Sequence, residues 1–249
     1  MNLFWSIVLG LVQGFTEFIP VSSSGHLVLI QNLIPGFTQP GVLFDVVLHL
    51  ATLLAVFYFF RKTLVTISKK YVVLLAVGTV PAAIFGFLLQ SQLEKMFGGV
   101  RTVGVELIIT GILNILVDEA KTTKKLITLP NSFLIGIAQA IAIIPGISRS
   151  GATIFTAVRL GIDRQKAAEF SFLLSIPAIL GANVLQLTTH GLNDIGNLNF
   201  YIAGFFTALA SGYLSIRVVY KFLLGGRFKV FGYYCIVLGF LVIFLFNFL

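Results

Sequence analysis

The sequence predicts an all-α integral membrane protein: six transmembrane helices plus two re-entrant helical hairpins in an inverted-topology repeat. Three observations predict it. The chain is far too apolar for a soluble domain, six of its runs are long enough to cross a bilayer, and two polar, helix-breaking interruptions recur 126 residues apart.

Of 249 residues, 57% are hydrophobic and only 10% charged, and the mean hydropathy is +1.01. A soluble domain carries about 25% charged residues, so this surface is matched to lipid and a soluble enzyme is excluded. Seventeen Lys and Arg against nine Asp and Glu give a net charge of +8. In a membrane chain such an excess marks cytoplasmic loops, and no nucleic-acid partner is expected. The single Cys235 has no partner for an internal disulfide and reads as a core thiol. Residues Met1 to Trp5 carry no Lys or Arg ahead of the apolar stretch, so the first segment is expected to stay attached.

A helix needs roughly 20 apolar residues to cross the hydrocarbon core. Six runs qualify: Val42 to Phe60, Tyr71 to Gln90, the shorter Val103 to Val117, Ala168 to Leu187, Phe200 to Ile216 and Val230 to Phe248. Two further stretches, Phe4 to Ile34 and Ser132 to Val158, are broken midway by Pro20 to Gly25 and by Pro145 to Gly151. Proline and glycine stop helices there, and serines cap the next ones. Loop charge decides whether these stretches cross. If both are re-entrant, one face receives fourteen Lys and Arg and the other only Lys95 and Arg101; if both cross, the split is seven against nine. The positive-inside rule therefore selects two hairpins, with both termini outside the cytoplasm.

The 126-residue offset lays Gly10, Gln13, Ser22, Ser24 and Gly25 on Gly136, Gln139, Ser148, Ser150 and Gly151. With two residues of slip, Gly104 and Gly111 meet Gly232 and Gly239. The single membrane domain, 1–249, thus divides into repeats of approximately 1–117 and 131–249. One hairpin followed by three crossings makes each repeat odd, so the halves are inverted and their tips are expected to meet near the midplane.

Non-helical backbone at membrane depth survives only where it is buried in protein or lines a wet cavity. Each tip is a serine-rich turn opening a helix, whose free amides and dipole suit an anion. Arg149 adds a planar fork of donors that matches phosphate. For the serines, capping alone is the simpler role. Gln13 and Glu17 lie four apart and share one helix face. A carboxylate between Phe15 and Phe18 must be paired, protonated or metal-bound. His26, next to the first tip, suits proton transfer. Asp45, His49, Glu106, Asn183 and Gln186 read as interhelical or helix-end groups. The basic run Lys62, Lys69, Lys70 is a topology signal that touches anionic lipid at most.

The stretch Gln13-Gly-Phe-Thr-Glu17-Phe-Ile-Pro20-Val-Ser22-Ser23-Ser24-Gly25-His26 resembles the first signature of the undecaprenyl-diphosphate phosphatase family, also called the bacitracin-resistance protein family. Pro145-Gly-Ile-Ser148-Arg149-Ser150-Gly-Ala-Thr153 resembles its second. The resemblance implies hydrolysis of a C55 polyprenyl diphosphate to the monophosphate in the bacterial plasma (inner) membrane. That recycles the carrier for cell-wall synthesis, confers bacitracin resistance and uses a divalent cation, Mg2+ or Ca2+. It also implies that Gln13 and Glu17 form the acidic motif, Ser23 and His26 the reactive turn, and Ser148, Arg149 and Thr153 the phosphate-gripping turn. Position 13 is Gln where the family also has Glu, a weaker metal ligand.

The reading that follows has Glu17, Ser23, His26 and Arg149 catalytic, with Gln13, Ser22, Ser24, Ser148, Ser150 and Thr153 around the substrate and Glu17 and Gln13 on the metal. Ser23 is favoured as nucleophile with His26 or Glu17 as its base, while His26 or a metal-bound water stays open as the attacking group. The rival function is a transporter or flippase of the same lipid carrier. A homo-oligomer is left open.

Overall fold

The computed structural model describes residues 2–34, 41–89, 100–123, 125–190 and 197–247. Lys95 and the span ends Gln90 and Phe248 named above lie outside them. Among the described residues the fold is all helical apart from one isolated bridge between Lys125 and Ile162. In chain order the helices are α1 (Leu3–Phe18), α2 (Ser23–Leu33), α3 (Gly41–Phe59), α4 (Arg61–Val65), α5 (Lys69–Leu88) and α6 (Val100–Glu119). They continue with α7 (Leu129–Ile141), α8 (Arg149–Arg159), α9 (Arg164–His190), α10 (Leu198–Leu224) and α11 (Lys229–Asn247). Four of them, α5, α9, α10 and α11, are long and apolar enough to cross a membrane, and α1, α3 and α7 are shorter apolar helices. The chain is a multi-pass membrane protein.

Local chemistry sets the boundaries. Asn2, Ser68 and Thr128 cap α1, α5 and α7 by accepting from the amides of Trp5, Tyr71 and Asn131. The two broken stretches become the pairs α1/α2 and α7/α8, each interrupted where proline and glycine stand in the sequence. The second pair returns to its starting end: Lys125, just before α7, bridges to Ile162, just after α8, and the Thr123 amide donates to Gly161 O at 3.0 Å. Asp118 at the end of α6 gathers the same end, accepting from the Lys229 amide at 2.9 Å and facing Arg164 at 4.0 Å.

Without a hydrophobic drive between helices in lipid, close approach relies on small residues. α6 and α11 cross at two glycine pairs. A Cβ on Gly239 would sit 2.5 Å from Gly104 O, and one on Gly232 would sit 2.6 Å from Gly111 O, so no side chain fits at this crossing. α1 meets α10 at Gly10 and Gly204, and α7 meets α5 at Gly136 and Gly78. The largest buried cluster surrounds Phe18 and Phe172, whose rings meet edge to face with centroids 5.5 Å apart. That cluster includes Phe18 and Val21, on either side of the break between α1 and α2.

Candidate active site

The first tip begins where α1 ends. Gln13 and Glu17, one turn apart and both buried, are joined by a 3.0 Å bond from Gln13 Nε2 to Glu17 Oε2. After Pro20 the chain reverses through Ser22, whose φ of 70° is the only positive value on a non-glycine residue among the described ones. Such a backbone costs about 1–3 kcal/mol and persists only where its surroundings over-determine it. Here the Ser22 hydroxyl accepts from the Gly25 amide at 3.3 Å and caps α2. The reversal presents Ser23, whose hydroxyl donates to Glu17 Oε2 at 2.9 Å.

The second tip repeats this construction. Ser148 caps α8 by accepting from the Gly151 amide at 3.2 Å, and its hydroxyl lies 3.2 Å from that of Ser150. Ser22 and Ser24 stand 3.3 Å apart in the first tip. The residue following the cap is Arg149 rather than serine, and its Nη2 donates to Glu17 Oε1 at 2.6 Å. Its Nη1 donates to Ser171 O at 3.3 Å. Thr153 holds the next turn, donating to Arg149 O at 2.8 Å with its hydroxyl 2.6 Å from that of Ser171. The tips touch through backbone as well: a Cβ on Gly25 would lie 3.2 Å from the Cα of Gly146.

His26 is built differently from a free base. Its Nδ1 donates to Ser22 O at 2.8 Å, which leaves Nε2 to accept from the Tyr234 hydroxyl at 2.7 Å, and the two rings are stacked. The histidine that faces the carboxylate is His49, with Nε2 4.0 Å from Glu17 Oε2 and Nδ1 held by Asp45 O. His49, Tyr234 and Ser171 are site neighbours that sequence reasoning missed. The one available signal was the turn spacing of Asp45 and His49, which fits any helix-packing pair.

α6 fastens both tips. Asn114 Nδ2 donates to Pro20 O at 2.6 Å, while the Thr110 hydroxyl donates to Gly146 O and accepts from the Ser148 amide, each at 3.0 Å. The donors a cation would find are oxygens. Gln13 Oε1 is buried without a hydrogen-bond partner, beside the Glu17 carboxylate, and among the described residues no cluster of three or more His, Cys, Asp or Glu side chains forms a cage. One carboxylate and one amide oxygen fit a hard divalent ion that takes its remaining ligands from a bound phosphate.

A buried carboxylate gripped by a serine from one helix break and an arginine from the other, inside a bundle of membrane-length helices, defines a multi-pass membrane protein with a polar centre. The chain belongs to the bacitracin resistance protein BacA family, whose model matches residues 6–241. It is 43% identical to the undecaprenyl-diphosphatase of Carboxydothermus hydrogenoformans over 96% of this chain and 95% of that one. It is 40% identical to the undecaprenyl-diphosphatase of Christiangramia forsetii over 96% of both chains, and 35% identical to that of Methanosphaera stadtmanae over 98% of both.

Proposed function

We propose that this protein hydrolyses undecaprenyl diphosphate to the monophosphate and inorganic phosphate in the bacterial plasma membrane, with Ser23 as the nucleophile. The observation that carries the reading is the 2.9 Å bond from the Ser23 hydroxyl to Glu17, a carboxylate whose other oxygen is held by Arg149. The diphosphate displaces the carboxylate from Arg149, whose fork then grips phosphate oxygens. Glu17, freed of its ion pair, takes the Ser23 proton as Oγ bonds to the terminal phosphorus. The bond to the bridging oxygen breaks, the lipid monophosphate leaves, and water later cleaves the phosphoserine. His26, both of whose ring nitrogens are engaged, holds the turn that presents Ser23. That supports Glu17 over His26 as the base.

Gln13 and Glu17 would hold Mg2+ or Ca2+, which when bound neutralises phosphate charge. Ser22, Ser24, Ser148, Ser150 and Thr153 shape the two tips so that their helix N-termini face the phosphates.

The membrane arrangement belongs to the same reading: one domain of two inverted repeats, six crossings, two re-entrant hairpins, and both termini outside. The paired Ser22/Ser24 and Ser148/Ser150 contacts support it, as does the exchange of Gly104–Gly239 for Gly232–Gly111 under the repeat offset. A flippase would need a place for the lipid's diphosphate but not a serine bonded to a carboxylate. Phosphate release from farnesyl diphosphate by the purified protein in detergent, abolished in Ser23→Ala, tests the proposal. Release at the wild-type rate in that variant would exclude Ser23 as nucleophile.

A further inference from the structure

Away from the hairpin tips, α3 and α10 leave a groove between them of about 710 Å3 on the outer surface of the bundle, within the size range of sites that hold small ligands. Its walls are apolar: Leu54, Phe57 and Tyr58 from α3, and Phe206, Ala210 and Tyr213 from α10. Its end is not. Arg61, the first residue of α4, lines the groove and lies over the Tyr58 ring at 4.6 Å. On the facing helix Arg217 lies over the Tyr213 ring at 4.8 Å, and the two tyrosines meet at 5.5 Å. Each tyrosine of a pair that lines the groove therefore carries a guanidinium on its ring. A second hollow beyond Arg61 adds Lys62.

These cations have no acidic partner among the described residues: Arg61 donates to Tyr58 O at 2.9 Å and Arg217 to the Tyr213 hydroxyl at 2.7 Å, and the ion pairs of the described residues are formed elsewhere. Stacking on tyrosine fixes each guanidinium while leaving other donors of its planar fork for an anion.

We infer that this groove is a site for one anionic phospholipid, an acyl chain lying along Leu54, Phe206 and Ala210 and the headgroup phosphate held between Arg61 and Arg217. Charge complementarity selects this occupant. A second protein copy would present apolar surface to the walls but would leave two unpaired cations at the end, and a zwitterionic lipid would bring its phosphate together with a choline cation that the two arginines repel. The site is separate from Glu17 and Arg149 and stands whether or not the catalytic reading holds.

The test uses the full chain, taken from vesicles of equal phosphatidylglycerol and phosphatidylcholine into mild detergent, with retained lipid read by native mass spectrometry. Wild type is expected to retain phosphatidylglycerol preferentially. Each basic residue near a membrane surface is worth about a fivefold change in anionic-lipid affinity, so Arg61→Ala/Arg217→Ala should lower retention roughly twenty-five-fold. Its phosphatase rate on a soluble prenyl diphosphate should stay at the wild-type value, which also certifies the fold. Ala210→Phe, which fills the groove and keeps both charges, should lose the lipid as well. Equal retention of the two lipids, or unchanged selectivity in the double variant, overturns the site. So does disulfide-linked dimerisation of Ala210→Cys in vesicles without lipid retention, which would assign the groove to a second copy.

Discussion

Ser23 and Arg149 occupy equivalent positions in the two halves of the chain, each directly after a capping serine, and both donate to the same carboxylate, Glu17, at 2.9 Å and 2.6 Å. Identical residues after the two caps would place two serines or two arginines around one acid. Divergence at a single position instead sets a nucleophile and a fixed cation on opposite oxygens of one group. The ion pair also explains how a buried carboxylate is tolerated here, because a buried charge left unpaired costs several kcal/mol.

Arg149→Ala should reduce kcat/KM by about 10²–10³, the usual cost of removing one preorganised group that stabilises charge in the transition state. Arg149→Lys restores the charge but not the fork, and should recover only part of the rate. Steady-state phosphate release for both variants, alongside circular dichroism to certify helicity, is the measurement. A full rate in Arg149→Lys would remove bidentate recognition from the mechanism.

Much of this centre was legible in the sequence because polar residues at breaks in long apolar runs are conspicuous. Glu17, Ser23 and Arg149 stood out at two chain breaks, and the expectation that the tips meet corresponds to the 2.6 Å contact between them. The six apolar runs all coincide with helices, although their ends differ. Val103 to Val117 lengthens to Val100–Glu119 because Asp118, a poor membrane residue, is neutralised by Arg164 and the Lys229 amide. Phe200 to Ile216 extends to Leu198–Leu224 because Arg217 and Lys221 are good helix formers whatever their surroundings. What could not be read was partner choice across long separations. His26 finds Tyr234 across 208 residues and Asn114 finds Pro20 across 94, and no local spacing encodes either meeting.

Asn114→Ala should be worse for catalysis than for folding. The substitution removes the 2.6 Å bond that holds Pro20 O and leaves that buried carbonyl only the weak Cys235 thiol donor at 3.7 Å, a cost of about 1–3 kcal/mol. The bond lies three residues before Ser23, so the turn that aims the nucleophile loosens first. A kcat lowered about tenfold with a melting temperature down by only a few degrees is expected. A normal kcat would mean that the tip is held by other contacts.

The glycine crossing of α6 and α11 makes a purely structural prediction. Gly239→Val would place its Cβ 2.5 Å from Gly104 O, backbone that cannot yield, so the helices must separate. A loss of at least about 1–3 kcal/mol is expected, read as a lower melting temperature in detergent. Gly181→Ala is the control, since a Cβ there meets nothing within 4 Å, and it should melt at or slightly above wild type because alanine is up to about 1 kcal/mol better than glycine inside a helix.

Gln13 offers a test of the metal that does not depend on the identity of the nucleophile. Its Oε1 is buried and unpartnered while its Nε2 is spent on Glu17, so the amide can offer a cation one neutral oxygen and nothing more. Gln13→Glu turns that oxygen into a carboxylate, which binds hard divalent ions more strongly. In the apo protein it also sets a second acid beside Glu17, whose arginine bonds the other oxygen. Two opposed effects follow: the variant should be less stable after chelation with EDTA, and should need less Mg2+ or Ca2+ for half-maximal activity. Melting curves with and without added cation separate them, because cation binding should raise the melting temperature of Gln13→Glu by more than that of wild type. Equal shifts in the two proteins would show that position 13 does not touch the ion.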